Sequence, residues 1–420
     1  MIIASNARVK TTFASLFAGL LILACTNTQA ADLGPFKVDG SIEVEHRLFI
    51  DDSPFNDFSA QVDIGNNQTS ARLLAEFFTE WNDGNDRFVF EPFARIDSED
   101  DQRSHTDVRQ ALYTHYGDNY EFSAGIGKVF WGVTESLHLV DIINQTDLVE
   151  NIDTEDKLGQ VMLHYSYLSE VGTFEAFVLP YFQERTVTQA FGRLSGGIEI
   201  DPANEEFESS RGRSHIDVAA RYSHSVGSWD IGLAWFSGTS REPDLLRLLN
   251  PATGQTTAFY PQIDQFSADI QLTTGSWLFK LEAIQREFSD DFYDDFAAAI
   301  GGTEYTIVGV LGSSYDLGLL AEYAWDERGD ISSTAFQNDL FVGARLGFND
   351  VSDSQLLFGY TNDLDNSDSR GIFIEGSTRL GPALTLNIEV RYFSSRTPTD
   401  PLFLIRDDSF IQIGIEYFFN

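Results

Sequence analysis

The sequence predicts an all-β fold: a transmembrane up-and-down antiparallel β-barrel of eighteen strands, with sixteen as the alternative count and a long third extracellular loop. Three observations predict it. Segments of ten to twelve residues alternate apolar and polar side chains at period two. The connections between them alternate between short and long. The basic residues inside the segments fall almost entirely on one parity.

The alternation is clearest near the end of the chain. In "ALTLNIEVRYF", Leu384, Leu386, Ile388, Val390 and Tyr392 share one face, and Thr385, Asn387, Glu389 and Arg391 take the other. "LGLLAEYAWD" repeats this with Leu317, Leu319, Ala321, Tyr323 and Trp325. In order, the segments are 38–50, 70–81, 87–97, 106–117, 120–129, 158–168, 173–184, 215–225, 229–238, 263–273, 276–287, 304–312, 315–326, 338–348, 354–361, 370–380, 383–393 and 409–419. Turns such as "GDN", "SEVG", "TGS" and "LGPA" alternate with long loops at 51–69, 98–105, 130–157, 185–214, 239–262, 288–303, 327–337, 362–369 and 394–408. An even count leaves both termini on the short-turn, periplasmic side. "FSAQVDIG" at 58–65 also alternates; the expectation places it in the first long loop.

Charge tests the barrel independently. Arg or Lys on the lipid face near mid-membrane costs about 2–4 kcal/mol. Arg47, Arg72, Arg87, Arg95, Arg221, Lys280, Arg286, Arg345, Arg379 and Arg391 all lie opposite the more apolar face. Lys128 has the wrong parity, close to a strand end where it can snorkel or where a bulge at "GIG" resets the register.

The final stretch, "FIQIGIEYFFN", sets Ile411, Ile413, Ile415, Tyr417 and Phe419 on one face. In a barrel the last strand closes on the first, so this is a seam and not a tail. It is similar to the C-terminal signal that outer-membrane barrels present to the barrel assembly machinery, departing by the one residue, Asn420, after the aromatic.

The N-terminus reads as a secretory signal peptide over 1–30: Arg8 and Lys10, the apolar run "FASLFAGLLILA", then small residues at Thr28 and Ala30. The mature chain, a single barrel domain over 31–420, then starts near Ala31. Cys25 leaves with the signal peptide in this reading; "LILAC" as a lipoprotein box is the alternative. One cysteine forbids a disulfide within the chain. No later apolar run reaches the length of a membrane helix. A net charge of −38 excludes nucleic acid as a partner, because phosphates need Lys and Arg. No plug domain precedes the first strand, which argues against a TonB-dependent receptor.

The third long loop, "GKVFWGVTESLHLVDIINQTDLVENIDTEDKLGQ", abandons alternation. "ESLHLVDIIN" is expected to form two helical turns with Leu137, Val140 and Ile143 on one face. The loop carries Glu135, Asp141, Asp147, Glu150, Asp153, Glu155 and Asp156 against Lys157. Arg109–Ala111–Tyr113, Gly127–Lys128, Trp131–Gly132 and Asp141–Ile142–Ile143–Asn144 follow one another in order. With this series the sequence resembles a group of porin-like outer-membrane proteins of Gram-negative bacteria whose activity is poorly defined; the usual Pro after the Asn is Gln145 here. The resemblance implies that the third loop folds into the lumen. There Glu135, Asp141, Asp147, Glu150 and Asp153 would face wall arginines (Arg47, Arg72, Arg87, Arg95, Arg109, Arg221, Arg345, Arg379 and Arg391) across a constriction. The alternatives are a loop that caps the barrel from outside, and arginines that pair with wall carboxylates and stiffen it.

The expected function is passive diffusion of small hydrophilic solutes across the bacterial outer membrane, with a moderate preference for cations. A transport component for a hydrophobic or lipid-like molecule, and a non-conducting adhesin or assembly partner, are the alternatives. No enzyme is expected: "SHS" at 223–225 puts neighbouring residues on opposite faces of a strand. No cofactor and no metal site is expected, since Asp363, Asp365 and Asp368 lack the Ca²⁺-loop spacing. Expected partners are outer-membrane lipid and lipopolysaccharide, the barrel assembly machinery and small solutes; a homo-oligomer is compatible with the pattern.

Overall fold

The computed structural model describes residues 36–55, 65–201, 204–250, 255–332 and 334–420. The signal-peptide segment, Cys25, the mature start near Ala31 and nearly all of 58–65 lie outside them. Eighteen antiparallel strands close into one barrel. They are β1 (Lys37–Phe49), β2 (Asn67–Trp81), β3 (Asp86–Asp97), β4 (Thr106–Tyr116), β5 (Tyr120–Gly127) and β6 (Gln160–Ser169). Then come β7 (Gly172–Leu179), β8 (Asp217–Val226), β9 (Trp229–Thr239), β10 (Gln262–Thr274), β11 (Trp277–Phe288) and β12 (Phe296–Ile307). The last six are β13 (Asp316–Asp326), β14 (Asn338–Gly347), β15 (Gln355–Asp363), β16 (Arg370–Arg379), β17 (Leu384–Ser394) and β18 (Phe410–Phe419).

Each strand pairs with its sequence neighbours, and β1 also pairs with β18, from Gly40 opposite Phe419 to Phe49 opposite Phe410. The final residues therefore complete the hydrogen-bond ladder, and the sheet has no open edge. Alternation decides the facing. In β1, Ser41, Glu43, Glu45 and Arg47 are buried inside, while Leu48, on the other parity, is exposed on the outer wall. In β18, Ile411, Ile413 and Ile415 are exposed outside, and Gln412 reaches inward to Arg47.

Two local departures have physical causes. Between β3 and β4 the register shifts at Glu91/Pro92, which leaves Arg109 unopposed as a bulge. Pro92 has no N–H to give the ladder. The bulge lets Arg109 and Thr114, which differ in parity, both be buried. Lys128 lies just past the end of β5, so strand parity does not govern it; its ammonium meets Glu91 at 2.9 Å.

One strand is displaced from the sequence expectation. β12 begins at Phe296 and ends at Ile307, where alternation had placed 304–312. Its first half, "FAAAIGG", consists of small residues whose two faces scarcely differ in hydropathy. Residues 310–312 form a single 3-10 turn with Leu311 in the left-handed region. A further feature had no periodic signal. Glu199–Ile200 pairs in parallel with Gln255–Thr256, and Glu206–Phe207 with Phe259–Tyr260. These ladders join the loops after β7 and β9 over an apolar centre of Phe182, Ala258 and Tyr260.

Candidate functional site: a lumen divided by the third loop

The loop between β5 and β6 crosses the inside of the barrel. Its residues touch β3 and β4 on one side and β11, β13, β14 and β17 on the others. It sits there because the wall of β6–β12 presents apolar side chains inward: Met162, Phe177, Leu179, Phe236, Ile263 and Ile284. Trp131, Val140, Ile142 and Ile143 of the loop cover them and are at most 4 % exposed. Each fully buried aliphatic side chain contributes about 1.5–3 kcal/mol to this seating.

The expected helical turns over "ESLHLVDIIN" do not form; residues 131–147 run without helix. Wall carboxylates take the backbone donors that a helix would use internally. Glu282 accepts from the N–H groups of Val133, Thr134 and Val140, and Glu322 from those of Glu135 and Ser136. Charge-assisted bonds of this kind are stronger than neutral amide bonds.

Residues of the Gly127–Lys128, Trp131–Gly132 and Asp141–Asn144 stretches fasten the base of the loop. Asn144 Oδ1 accepts from the Val129 N–H at 2.8 Å, and its Nδ2 donates to the carbonyls of Gly127 and Leu158. Asp141 accepts from the Trp131 N–H and pairs with Lys157 at 3.1 Å. Gly132 has φ 155°, and a side chain there would press on His138 and Glu282. Arg221 lies over Trp131 and pairs with Asp269.

The sequence expected loop acids and wall arginines to face one another across a gap. Instead most of them meet. Glu150 pairs with Arg95 at 2.6 Å, Asp147 with Arg109, Asp153 with Arg391 at 3.0 Å and Glu135 with Arg345 at 2.6 Å. Asp147 and Glu150 are buried against β3 and β4 and do not line the main cavity; of the five expected constriction acids, Glu135, Asp141 and Asp153 reach it. Arg72 pairs with the wall carboxylates Glu43 and Glu416, and Arg87 lies over Phe78. Arg379 stands at the short-turn rim with its side chain 61 % exposed, so it is not part of the inner wall. Arg345 and Arg391 are the two expected wall arginines that line the cavity.

The cavity has a volume of about 1200 Å³ and lies between the loop and β11–β18. It follows β15 from Thr361 to Gln355. Phe341 and Phe373 stack with planes 5° apart, and Gly359 lies under both rings where any Cβ would collide with them. Eight carboxylates border the cavity against seven Arg or Lys side chains and His138. They are not evenly placed. Arg185, Arg241, Arg286 and Arg328 gather with Glu242 and Asp326 on the side of β9–β13. Asp153, Glu155, Glu375 and Glu389 gather around Arg391 on the side of β16 and β17. Of these arginines, Arg185, Arg241 and Arg328 lie in long loops, where strand parity offers no signal.

Several loop groups titrate away from their ordinary values. Burial opposes the charge on His138, but Glu155 at 3.2 Å and Glu282 at 3.7 Å outweigh it and push the imidazole up to about 9. Burial raises Asp153 to about 6 despite Arg391. Burial likewise works against Asp147, yet His105 and Arg109 hold its carboxyl below the usual range.

No protein-family model matches the chain, and no curated protein sequence does. Solved structures do. One is Wzi of Escherichia coli, described as an outer-membrane protein involved in group 1 capsule assembly and a carbohydrate-binding β-barrel. It is 12% identical with a TM-score of 0.52, over 89% of this chain and 83% of that one. Another is a substituted Rh. blastica porin, 10% identical with a TM-score of 0.42, over 91% of this chain and 100% of that one. At such identities the likeness to Wzi shows the fold alone.

Proposed function

We propose that this barrel resides in the bacterial outer membrane and lets small hydrophilic solutes diffuse through it. The observation that carries the reading is the charged cavity of about 1200 Å³ that follows β15 beside the inserted loop. An eighteen-stranded barrel is wide enough for an aqueous path. The loop packs against the apolar wall of β6–β12, and the cavity runs between it and β11–β18. The uneven charge across the cavity orders water and selects solutes by dipole as well as by size. Because carboxylates and cations nearly balance along the cavity, a moderate cation preference arises from the acidic loops at the mouth. Purified protein in a planar bilayer tests this: stepwise conductance is expected, and silent bilayers containing correctly folded barrel would refute it.

The loop packed across the lumen favours a second reading, a non-conducting barrel that acts as an adhesin or assembly partner by binding carbohydrate; Wzi is described as a carbohydrate-binding β-barrel involved in capsule assembly. Silence in the bilayer together with retention on immobilised capsular polysaccharide would select it.

A further inference from the structure

We infer that Arg286 and Arg328 form a subsite for the carboxylate group of a small solute, and that Glu242 occupies this subsite until the solute displaces it. The inference rests on the channel reading and names a substrate class for the same cavity. Nη1 atoms of both arginines approach one oxygen, Glu242 Oε2, at 3.1 and 3.8 Å. Two guanidinium groups are thus already arranged around a carboxylate oxygen. Their positions are fixed from behind. Both lie over the ring of Phe296, Arg286 at 5.3 Å and Arg328 at 3.7 Å, and Phe296 is 2 % exposed. Asp326 holds Arg328 from Nε and Nη2, at 3.0 and 2.6 Å, and Gln265 accepts from Arg286 Nε at 2.9 Å.

Glu242 differs from these supports. It belongs to the loop after β9, and its side chain is 36 % exposed within the cavity lining. Arg286 and Arg328 are only 6 % and 17 % exposed, so water and solute reach this ion-pair group from the Glu242 side. By contrast, Asp217, which holds neighbouring Arg241 at 2.7 Å, is 1 % exposed. Arg185 borders the same space and donates to the Arg241 carbonyl at 3.0 Å, adding positive potential. A solute carboxylate arriving from the long-loop end can make the two ion pairs that Glu242 makes, releasing Glu242 to water.

The test uses the full chain in detergent, with D-glucuronate as the probe and D-glucose as its neutral counterpart. Calorimetric titration should show saturable glucuronate binding and glucose binding weaker by about ten-fold or more. Glu242→Gln removes the competing carboxylate and should tighten glucuronate binding severalfold. Arg286→Gln with Arg328→Gln should weaken it by about ten-fold or more, in barrels whose heat-shifted electrophoretic mobility shows closure. Glu242→Gln, a half-exposed loop change, keeps the test decisive if the double variant does not fold. Equal binding of the two sugars, or a Glu242→Gln barrel that binds glucuronate no more tightly, overturns the subsite. Conductance without glucuronate preference refutes the subsite alone; binding without conductance refutes the channel alone.

Discussion

Asn144 is the residue on which the seating of the inner loop turns. It is 1 % exposed, and its amide joins the start of the loop to its end through Gly127, Val129 and Leu158. Asn144→Ala leaves a buried N–H and two carbonyls unpaired, each costing about 1–3 kcal/mol. The expected result is a closed barrel with a loosened loop, measured as faster amide exchange over 128–159 and noisier single-channel current. Slow exchange equal to wild type would refute the role. His138 supplies a second residue-level prediction. It faces Glu155 and Asp141 of its own loop and Glu282 of β11. Its value of about 9 lies above the ordinary 6.5, so its contribution to loop seating is complete below about pH 6.5 and disappears as pH rises through about 9. Asp153, raised to about 6, acts in the same direction at lower pH, because rising pH ionises a buried acid. Amide exchange over the loop should therefore accelerate between pH 7 and pH 9.5, beyond its intrinsic base catalysis, and His138→Gln should remove the step.

The inner loop as an element splits its carboxylates into two groups. Glu135 and Asp153 border the cavity, whereas Asp147 and Glu150 are sealed against β3 and β4. Glu135→Gln with Asp153→Asn should shift the reversal potential in a salt gradient toward lower cation preference. Asp147→Asn should instead destabilise the loop, since Arg109 would keep only Asp107, at 3.2 Å, as a carboxylate partner, a loss of about 1.5–3 kcal/mol. Thermal melting of the purified barrel separates the two effects. A melting point unaltered by Asp147→Asn, or an unaltered reversal potential in the first variant, would contradict this division. Among strands, β12 shows how an element escapes detection: alanines and glycines pair as well as any residue in the ladder, yet offer no hydrophobic contrast.

Closure is a property of the whole molecule. Because β18 pairs with both β17 and β1, a charge on its lipid face cannot be hidden by fraying. Ile413→Arg near mid-strand should cost about 2–4 kcal/mol and reduce the yield of folded barrel, while Gln412→Glu, facing the lumen beside Arg47, should be tolerated far better. Heat-modifiability of the two variants on gels gives the comparison, and equal yields would contradict the facing. The net charge of −38 acts at the same scale. With cavity charges nearly balanced, cation preference depends on the mouth potential, and it should grow as the Debye length lengthens from about 10 Å at 0.1 M to about 30 Å at 0.01 M. A preference for anions at low salt would overturn the proposal.

The sequence by itself determined the count of eighteen crossings, the place of every one but β12, and the seam at Ile411–Phe419, because a membrane wall imposes a two-residue period wherever the two faces differ in hydropathy. It also marked the third loop, through its loss of alternation and through Asn144, Asp141 and Trp131. Only the tertiary structure decided which charges meet. Arg103, from the loop after β3, ends against Glu45 and Asp97, and Arg185, Arg241 and Arg328 converge from separate loops on the space beside Arg286. Ion pairs join residues far apart in the chain, and no local pattern constrains them; their partners are fixed by which loop the apolar wall of β6–β12 draws inside.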